Sequence, residues 1–489
     1  MNNQLLAGWD EISITPDKAV RLAGQFFERI SETVETEVTA TAMALESNGE
    51  GLILCSCDLV GIDDGLLKAV RQTVCNQTDL CPEQIILCAT HTHTSLLYEG
   101  PKQLSAPLDI FEKYLPSQEE NQTKTDCMSG REAFDFLIER ISKVIRNAWR
   151  NRKPSGFANG FGRAAVGMCR RVVYSDGSAK MWGDTDSESF AELEGGNDSG
   201  IELLYIYDQT KKLTGIVANI ACPSQVVEHR SFISSDYWGK VKLLLRERFG
   251  KDLFVLGLCS PAGDQCPRDM IRWVQPETPI DDPNIKRENP AARIADPSMF
   301  DINGTWKVGK RIANEIISVY EELGEIKNEV NLKHKSFTLD LPLRCVTEAE
   351  TITARNALEN YLHENGQTAA DENASMHVHA GTLERAGLQK KQSTYPIEVH
   401  VFCLGNMVFA TNPFELFLDY GNLIRARSKA EQTFLIQLSC GSSGYLPTQK
   451  AEKGGHYSAY VSSGFVGHEG GKLLVERTLE EIKSLMTVR

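Results

Sequence analysis

The chain has 489 residues, of which 41% are hydrophobic and 24% are charged, values close to the averages for soluble globular proteins. They exclude collagen-like, coiled-coil and wholly disordered chains, and no stretch approaches the ~20 consecutive apolar residues of a membrane span. The net charge of −14 comes from 66 acidic and 52 basic residues. Because the basic residues form no cluster, the sequence predicts no nucleic-acid partner and no stable membrane anchor.

The N-terminus and the cysteines indicate the cell compartment. Residues 1–10 contain no basic segment followed by an apolar core, so no signal peptide is predicted. The 13 cysteines are scattered through strand-like runs rather than spaced as a disulfide framework. Such usage is typical of reduced thiols, and we therefore expect a cytoplasmic protein.

Short apolar runs alternate with amphipathic runs along the chain, which predicts an α/β or mixed α+β fold with its site at strand ends. In chain order the predicted elements are strands Gly51–Val60 and Gln84–Thr90, a helix near 134–149, strands Ile201–Tyr207 and Leu213–Ala221, helix Trp238–Phe249, strand Leu253–Cys259, helices near 308–323 and at Thr347–His363, strands Val399–Asn406 and Met407–Thr411, and helices Phe414–Arg427 and Gly471–Leu485.

Three irregular segments interrupt this pattern, namely a polar one near 98–130, an acidic and glycine-rich one near 175–199, and a proline-rich one near 268–303. Segments of this kind are substrate loops and lids in some enzymes and plain surface decoration in others. We expect a single catalytic domain over residues 1–489 that carries these three segments as insertions.

The most specific local motif is the run Thr90–Thr94, in which His91 and His93 follow a predicted strand. Side chains at i and i+2 on a strand end project from the same face, so the two imidazoles can address one site. A His-x-His pair is a common half of a metal site. On its own it is equally compatible with hydrogen-bonded core histidines.

Cys266 lies in a second motif, Ser260–Arg268, which also follows a strand-like run. The small residues and proline predict a tight turn that presents this cysteine at the sheet edge, as a nucleophile or a metal ligand. An inert buried thiol is the alternative for any one of 13 cysteines.

Three weaker motifs follow. Cys222 comes directly after a predicted strand, and Pro413 is predicted to open a helix whose first turn holds Glu415, where the helix dipole would stabilise the carboxylate. The third motif is Gly444–Thr448, with Tyr457 shortly downstream.

Taken together, these motifs resemble the neutral, non-lysosomal ceramidases in chain order over nearly the whole sequence. The segments that carry the resemblance are Ala7–Pro16, Cys57–Val60, the Thr90–Thr94 run, Gly263–Pro267 at the family's Gly-Asp-Val-Ser-Pro nucleophile motif, Asn412–Glu415 and Tyr445–Thr448. The resemblance implies a ceramidase-like catalytic domain, and the family's C-terminal β-rich domain is not expected in this chain.

The resemblance also implies a zinc site and its surroundings. The family holds one zinc with two histidines, a glutamate and a tyrosine. The positions that match its ligands are His91, Cys222, Glu415 and Tyr445, and those that match other active-site groups are Cys266, His93, Tyr457 and either Arg170 or Arg171.

Two of these positions depart from the family pattern. Cys222 stands where the family has a histidine ligand, and cysteine binds zinc well, at about 2.3 Å; His229 is an alternative in a different register. Cys266 stands where the family has its nucleophilic serine, and it could act as nucleophile, as a further ligand beside Cys222, or as neither.

The sequence therefore predicts a zinc-dependent hydrolase that cleaves an amide (N-acyl) bond in a soluble small molecule, with one Zn²⁺ per chain. Ceramide itself is not the expected substrate, because no amphipathic lipid anchor is visible. A zinc-dependent lyase or isomerase and a non-catalytic binding protein with a degraded site are the alternatives. The oligomeric state, a homo-oligomer included, is left open.

Overall fold

The computed structural model describes residues 3–100, 127–274, 294–371 and 374–487. Most of the first predicted insertion and much of the third therefore lie outside the described residues. The segment near 175–199 is described, and it contributes strands to a small sheet with Arg171–Tyr174. Across the described ranges, no helix combines the length and the apolar character needed to cross a membrane.

Eight strands form a large mixed sheet. Its outermost pairs are parallel, and the pairs between them are antiparallel. In spatial order its strands are Phe254–Cys259, Leu213–Ile220, Gly200–Asp208, Lys153–Arg163, Leu6–Ser13, Thr39–Ser47, Glu50–Cys57 and Ile85–Ala89.

The large sheet curves back so that its two edges approach each other. The Ser56 hydroxyl donates a 2.5 Å hydrogen bond to the carbonyl of Gly257, although their strands are not paired. Strands Ile85–Ala89 and Phe254–Cys259 therefore end close together. This closure brings the histidine motif and the Cys266 motif, which follow these two strands, to the same end of the molecule.

The apolar runs of these strands reflect burial on both faces. All five residues of Ile85–Ala89 and five of six in Phe254–Cys259 are buried, as expected for parallel strands covered on both sides. Helices Asp64–Cys75 and Gly130–Arg150 pack against each other, and Asp236–Phe249 packs against Asp301–Glu321. The predicted helical stripe near 134–149 is confirmed in Gly130–Arg150.

A second sheet of four strands lies beside the large one, in the order Leu332–Pro342, Thr394–Leu404, Met407–Thr411, Gln432–Ile436. Its last two strands are parallel, so they end, at Thr411 and Ile436, on the same side of the sheet. The loop after Ile436 joins the sheets: the amide of Ala89 donates to Leu438 and the amide of Cys440 donates to Leu87. The carboxyl ends of both sheets thus meet.

The remaining elements are short or peripheral. They are the helices Glu348–Asp371, Ala374–Leu388, Leu418–Arg427, Gln449–Gly454 and His468–Met486, the 3-10 turns Pro82–Gln84, Pro297–Met299 and Val461–Ser463, and the minor strands Ala19–Val20, Thr33–Val34, Cys127–Met128, Met168–Cys169, Arg171–Tyr174, Ala179–Met181, Phe190–Leu193, Phe232–Ile233, Gln265–Cys266, Asp269–Val274, Ile294–Asp296, Glu415–Leu416 and Tyr445–Leu446.

The predicted mixed α/β class is confirmed, but the helix predicted at Phe414–Arg427 begins four residues late, at Leu418. Glu415 lies in a two-residue strand that pairs in parallel with Tyr445–Leu446. Its amide donates to the carbonyl of Gly444, which holds the backbone extended. The expected stabilisation of Glu415 by a helix dipole was therefore wrong.

Candidate active site

The histidine motif forms a buried turn at the end of strand Ile85–Ala89. His91 has a positive φ of 63°, a conformation that side chains other than glycine rarely adopt. Ser224 holds the turn with two hydrogen bonds. Its carbonyl accepts from the amide of His93, and its hydroxyl donates to the carbonyl of Thr90. Both imidazoles are buried, and their Nε2 atoms lie 3.2 Å apart.

The protonation of His91 follows from its contacts. Its Nδ1 lies 2.6 Å from the carbonyl oxygen of Val60, which can only accept, so Nδ1 carries a proton. Its Nε2 then faces Oε2 of Glu415 at 3.3 Å. Burial alone would raise the pKa of Glu415, but His91 and Arg170 lower it below its usual range. The contact therefore suits a proton or a metal cation shared by the two side chains.

Two tyrosines complete this side of the site. The strand pairing places Tyr445 directly beside Glu415, and the Tyr445 phenol helps to lower the pKa of that carboxyl group. The hydroxyl oxygens of Tyr445 and Tyr457 lie 3.4 Å apart. Burial raises the pKa of both phenols, to about 12 for Tyr457, so each is a neutral hydrogen-bond donor at neutral pH.

Arg170 connects the tyrosines to His93 through Gln225. The guanidinium donates to the hydroxyl of Tyr445 at 3.4 Å and to Oε1 of Gln225 at 3.1 Å. Gln225 then donates from Nε2 to Nε2 of His93 at 3.0 Å, and Nδ1 of His93 lies 3.0 Å from the carboxylate of Glu228. Arg170 can only donate, so Oε1 of Gln225 faces Arg170 and its Nε2 donates to His93. A neutral His93 that accepts on Nε2 carries its proton on Nδ1.

The charges around His93 are consistent with a neutral imidazole. Burial, followed by the neighbouring His91, lowers the pKa of His93 well below its usual value. Arg170 is buried, which opposes its charge, but Tyr445, Cys266 and Glu415 raise its pKa overall. The site therefore combines a fixed cation, a neutral imidazole and two neutral phenols.

Only one of the two candidate arginines reaches this network. Arg171 is fully buried and pairs with Glu194 at 2.8 Å. It also donates to the backbone carbonyls of Tyr457 and Gly455 at 3.0 and 2.9 Å. Arg171 thus holds the backbone that carries Tyr457, whereas Arg170 contacts the site directly.

Cys222 lies apart from the His91–Glu415 contact. Its Sγ lies 3.5 Å from the carbonyl of Val166, and burial raises the pKa of the thiol well above its usual value. Where the structure describes the chain, no group of three His, Cys, Asp or Glu donor atoms within 4.8 Å of one another includes Cys222. Its role as a ligand stays a prediction.

Cys266 is nearer to the network but is not prepared as a thiolate. It is fully buried, and burial raises its pKa to about 12 despite the nearby Arg170. Its Sγ donates to the carbonyl of Arg268 at 3.4 Å. A neutral thiol is a weak nucleophile and binds a metal only by losing its proton, so the roles of Cys266 as nucleophile or ligand stay predictions. His229, the alternative ligand, stacks on Phe300 instead.

Sequence reasoning missed Gln225, Glu228 and Arg29 as members of the site. Arg29 donates to the backbone carbonyl of His93 at 2.7 Å. Gln225 and Glu228 lie in the segment that starts at Cys222, in which only Cys222 and His229 were expected as site residues. The Glu228-His229 pair following the motif was the available signal, but only the tertiary contact shows which of the two side chains points inward.

The donors at the His91–Glu415 contact fit a transition metal. Tetrahedral zinc with bonds of about 2.0–2.1 Å places its ligand atoms ~3.3 Å apart, and His91 Nε2 and Glu415 Oε2 lie 3.3 Å apart. The phenol of Tyr445 adds a third donor of another kind. His93 contacts Gln225 and Glu228, and its place beside the ligands rather than among them stays a prediction.

The arrangement of the large mixed sheet and the second sheet matches the fold of two solved ceramidase structures. No protein-family model matches the sequence, and no curated protein matches it. The comparison with solved structures does give matches, and these concern the fold alone because sequence identity is low.

The first is the crystal structure of a neutral ceramidase from Pseudomonas aeruginosa, with a TM-score of 0.66 and 15% identity over 99% of this chain and 75% of that chain. The second is a ceramidase complexed with C2, with a TM-score of 0.64, 13% identity and the same two coverages. The resemblance to neutral ceramidases that the motifs predicted is thus confirmed at the level of the fold.

Proposed function

We propose that the protein is a metal-dependent hydrolase that cleaves an amide (N-acyl) bond in a small molecule, at the site around His91, Glu415 and Tyr445. The observation that carries the proposal is the 3.3 Å contact between two acceptor-type groups, His91 Nε2 and Glu415 Oε2. The ceramidase fold supports the same reaction class.

The metal that fits these donors is Zn²⁺, one per site, held by His91, Glu415 and Tyr445, with Cys222 as the fourth ligand if its loop moves. When bound, zinc polarises a carbonyl and activates water. The fourth position would be taken by water in a catalytic site with three protein ligands, or by Cys222 in a site with four.

The chain's own residues supply the remaining functions. Arg170 and the phenol of Tyr457 are donors that can stabilise a carbonyl oxygen as it gains negative charge, and one such donor is typically worth ~3 kcal/mol. His93 lies against Glu228, and its Nε2 accepts from Gln225 and faces His91, so we assign it the positioning of these neighbours. Cys266 is proposed to line the site without reacting, because its thiol is neutral.

We propose that the substrate is soluble, that the chain forms a single catalytic domain, and that the protein works in a reducing compartment. All 13 cysteines, each of which lies in a described range, are free thiols. Several of them, such as Cys55 and Cys88, are buried on neighbouring strands without pairing. This is the pattern expected of a cytoplasmic protein.

The test combines metal content with turnover. We expect about one zinc to be lost from His91→Ala by inductively coupled plasma mass spectrometry, and hydrolysis of one or more members of a panel of N-acyl amino acids and N-acyl sugars to be lost with it. Chelation should abolish turnover by the wild-type protein, and added zinc should restore it.

Cys222→Ala decides the fourth ligand. If the thiol binds zinc, this variant loses the same zinc as His91→Ala; if it keeps the zinc, Cys222 is not a ligand. Equal zinc content in the wild type and in His91→Ala would contradict the proposed site. Zinc-dependent loss of substrate without hydrolysis products would favour the lyase or isomerase alternative.

A further inference from the structure

A second cluster of metal-binding side chains lies outside the site described above. One donor atom each of Glu398, His400 and Cys440 lie within 4.8 Å of one another, and this is the one such group of His, Cys, Asp or Glu in the described ranges. His400 is fully buried, and Cys440 is 4% exposed. Oxygen, nitrogen and sulfur donors together are the set that zinc accepts.

The cluster can release the His400 nitrogen that a metal needs. Nε2 of His400 lies 2.5 Å from the carboxylate of Glu398, and its Nδ1 lies 3.0 Å from Nε2 of His334. Burial lowers the pKa of both histidines, to about 4 for His334, so both are neutral. For Nε2 of His400 to bind a cation, His400 must become the Nδ1–H tautomer. His334 then passes its Nε2 proton to Nδ1 of His400 and takes up a proton on its own Nδ1, while the Nε2 proton of His400 is given up, so both imidazoles stay neutral.

Arg71 competes with a metal for the same ligands. Its guanidinium donates to both carboxylate oxygens of Glu398, at 2.9 and 2.6 Å, and to Cys440 Sγ at 3.5 Å. Burial alone would raise the pKa of Glu398, but hydrogen bonds from His400 and Arg71 lower it to about 2. The carboxylate is therefore ionised. A metal would displace one Arg71 contact, while the bonds of Arg71 to the Ile85 carbonyl hold the guanidinium nearby.

The cluster is accessible from a cavity, and its Cys440 lies on the loop that carries Tyr445. Arg71, Glu398 and Cys440 line a cavity of about 760 Å³, which gives an ion a path of entry. Cys440 itself has a positive φ of 52°, a strained conformation of the kind that persists where the surroundings impose it. It precedes Tyr445 by five residues on the same loop.

We propose that Glu398, His400 and Cys440 form a second metal site, which takes a thiophilic divalent ion such as Zn²⁺ in competition with Arg71. Burial raises the pKa of the Cys440 thiol to about 12, so the thiol is neutral until a metal binds. Binding forms a metal–sulfur bond and releases the Cys440 thiol proton to solvent. The number of protons on the imidazole pair does not change. The 2.5 Å contact between Glu398 and His400 lengthens as both become ligands.

The experiment titrates full-length apoprotein with Co²⁺, whose bond to a thiolate gives a charge-transfer absorption band in the near ultraviolet. The background is His91→Ala, which removes the first site, so the result does not depend on the proposed hydrolase. We expect the band and release of about one proton per Co²⁺. We also expect Arg71→Met to tighten binding by about tenfold or more, because a nearby positive charge is removed.

Cys440→Ser should abolish the band, whereas the matched control Cys75→Ser, which alters another thiol on the same cavity, should keep it. The proton count needs no cysteine variant, so it decides the matter if Cys440→Ser does not fold. Absence of both band and proton release while Arg71 is intact would overturn the proposal, as would a band that survives in folded Cys440→Ser.

Discussion

His93 holds its proton on Nδ1 because Gln225 donates to its Nε2, and the carboxylate of Glu228 lies 3.0 Å from that Nδ1. The tautomer, and not only the residue type, decides whether a lone pair faces the proposed site. Such positioning groups act through the residue that they orient, and their loss in metal sites typically costs 10–100-fold in activity or affinity.

We therefore expect Glu228→Leu to lower kcat on the substrate identified above by about 10–100-fold, with a smaller change in KM. Glu228→Gln should retain more activity, because its amide oxygen can still accept from Nδ1–H. Nitrogen-15 NMR of His93 is the independent readout: Glu228→Leu should change its tautomer and Glu228→Gln should not. Equal activity in the two variants would contradict a positioning role.

Gly24 is required beside His93 for steric reasons. A Cβ at Gly24 would lie 2.5 Å from Cγ of the imidazole, and its φ is +97°. Gly24→Ala should therefore move His93 and lower activity. Gly49→Ala is the matched control, because Gly49 has a φ of +83° with nothing within 4 Å of the added atom. If both variants lose activity equally, backbone strain and not contact with His93 is the cause.

The site residues that belong to short sequence motifs were predictable from the sequence. His91, His93, Arg170, Glu415, Tyr445 and Tyr457 were expected at one site, and the structure brings them together, although their roles await experiment. Gln225 was not predictable, because it meets His93 across 132 residues. Cys222 shows that a register position does not reveal where a side chain points.

At the scale of secondary structure, a small sheet anchors the backbone of Tyr457 to the rest of the site. Strand Arg171–Tyr174 carries Arg171, whose guanidinium pairs with Glu194 and donates to the carbonyl of Tyr457. Both charged side chains are almost fully buried. Removal of one partner from a buried pair leaves an uncompensated charge, which is strongly destabilising.

Arg171→Met should therefore lower the free energy of unfolding by about 3–5 kcal/mol, measured by urea denaturation. Lys450→Met is the control, because Lys450 on helix Gln449–Gly454 pairs with the exposed Glu192 on strand Phe190–Leu193 of the same sheet and such pairs contribute ~0–1 kcal/mol. The double variant Arg171→Met with Glu194→Gln should recover part of the loss. Equal effects of the two single variants would contradict the assignment of a buried pair.

Helices were the more predictable elements. Helix Gly130–Arg150 has a capping box between Ser129 and Glu132 and a regular buried stripe, both of which are visible in sequence. Strand Thr39–Ser47 was not predicted. It is buried along most of its length and rich in alanine and threonine, so it lacks the alternation that marks a half-exposed strand. The strand at Glu415 depends on pairing with Tyr445, a contact that local pattern does not contain.

At the scale of the whole molecule, helix Asp236–Phe249 is tied to the large sheet by a buried charge cluster. Glu11 on strand Leu6–Ser13 accepts from Lys242 at 2.8 Å and from Arg246 at 2.7 Å. Burial alone would raise the pKa of Glu11, but these two cations lower it from 4.5 to about 2. The ionised carboxylate is therefore favoured by folding.

A depressed pKa gives stability that is present above the unfolded value and is lost on acidification. Glu11 should contribute about 3 kcal/mol at neutral pH, and this should disappear as the pH falls from about 4.5 to about 2. Urea unfolding of Glu11→Gln should show the matching loss at pH 7 and converge with the wild type near pH 2. Glu50→Gln, at an exposed position, should follow the wild type throughout. A constant difference at all pH values would contradict the account.

The overall class of fold was predictable because motifs in chain order matched a known arrangement and the strand–helix alternation agreed with it. The closure of the large sheet was not, because it depends on contacts such as Ser56 with Gly257 that are 201 residues apart. That closure is what brings the carboxyl ends of the strands, and hence the proposed site, together.

Oxygen-18 labelling tests hydrolysis at the site of His91, Glu415 and Tyr445 most directly. Zinc-loaded wild-type protein should turn over an N-acyl substrate in labelled water with one ¹⁸O in the released carboxylate, and Glu415→Gln should not. Product without the label, or turnover that Glu415→Gln retains in full, would contradict the account.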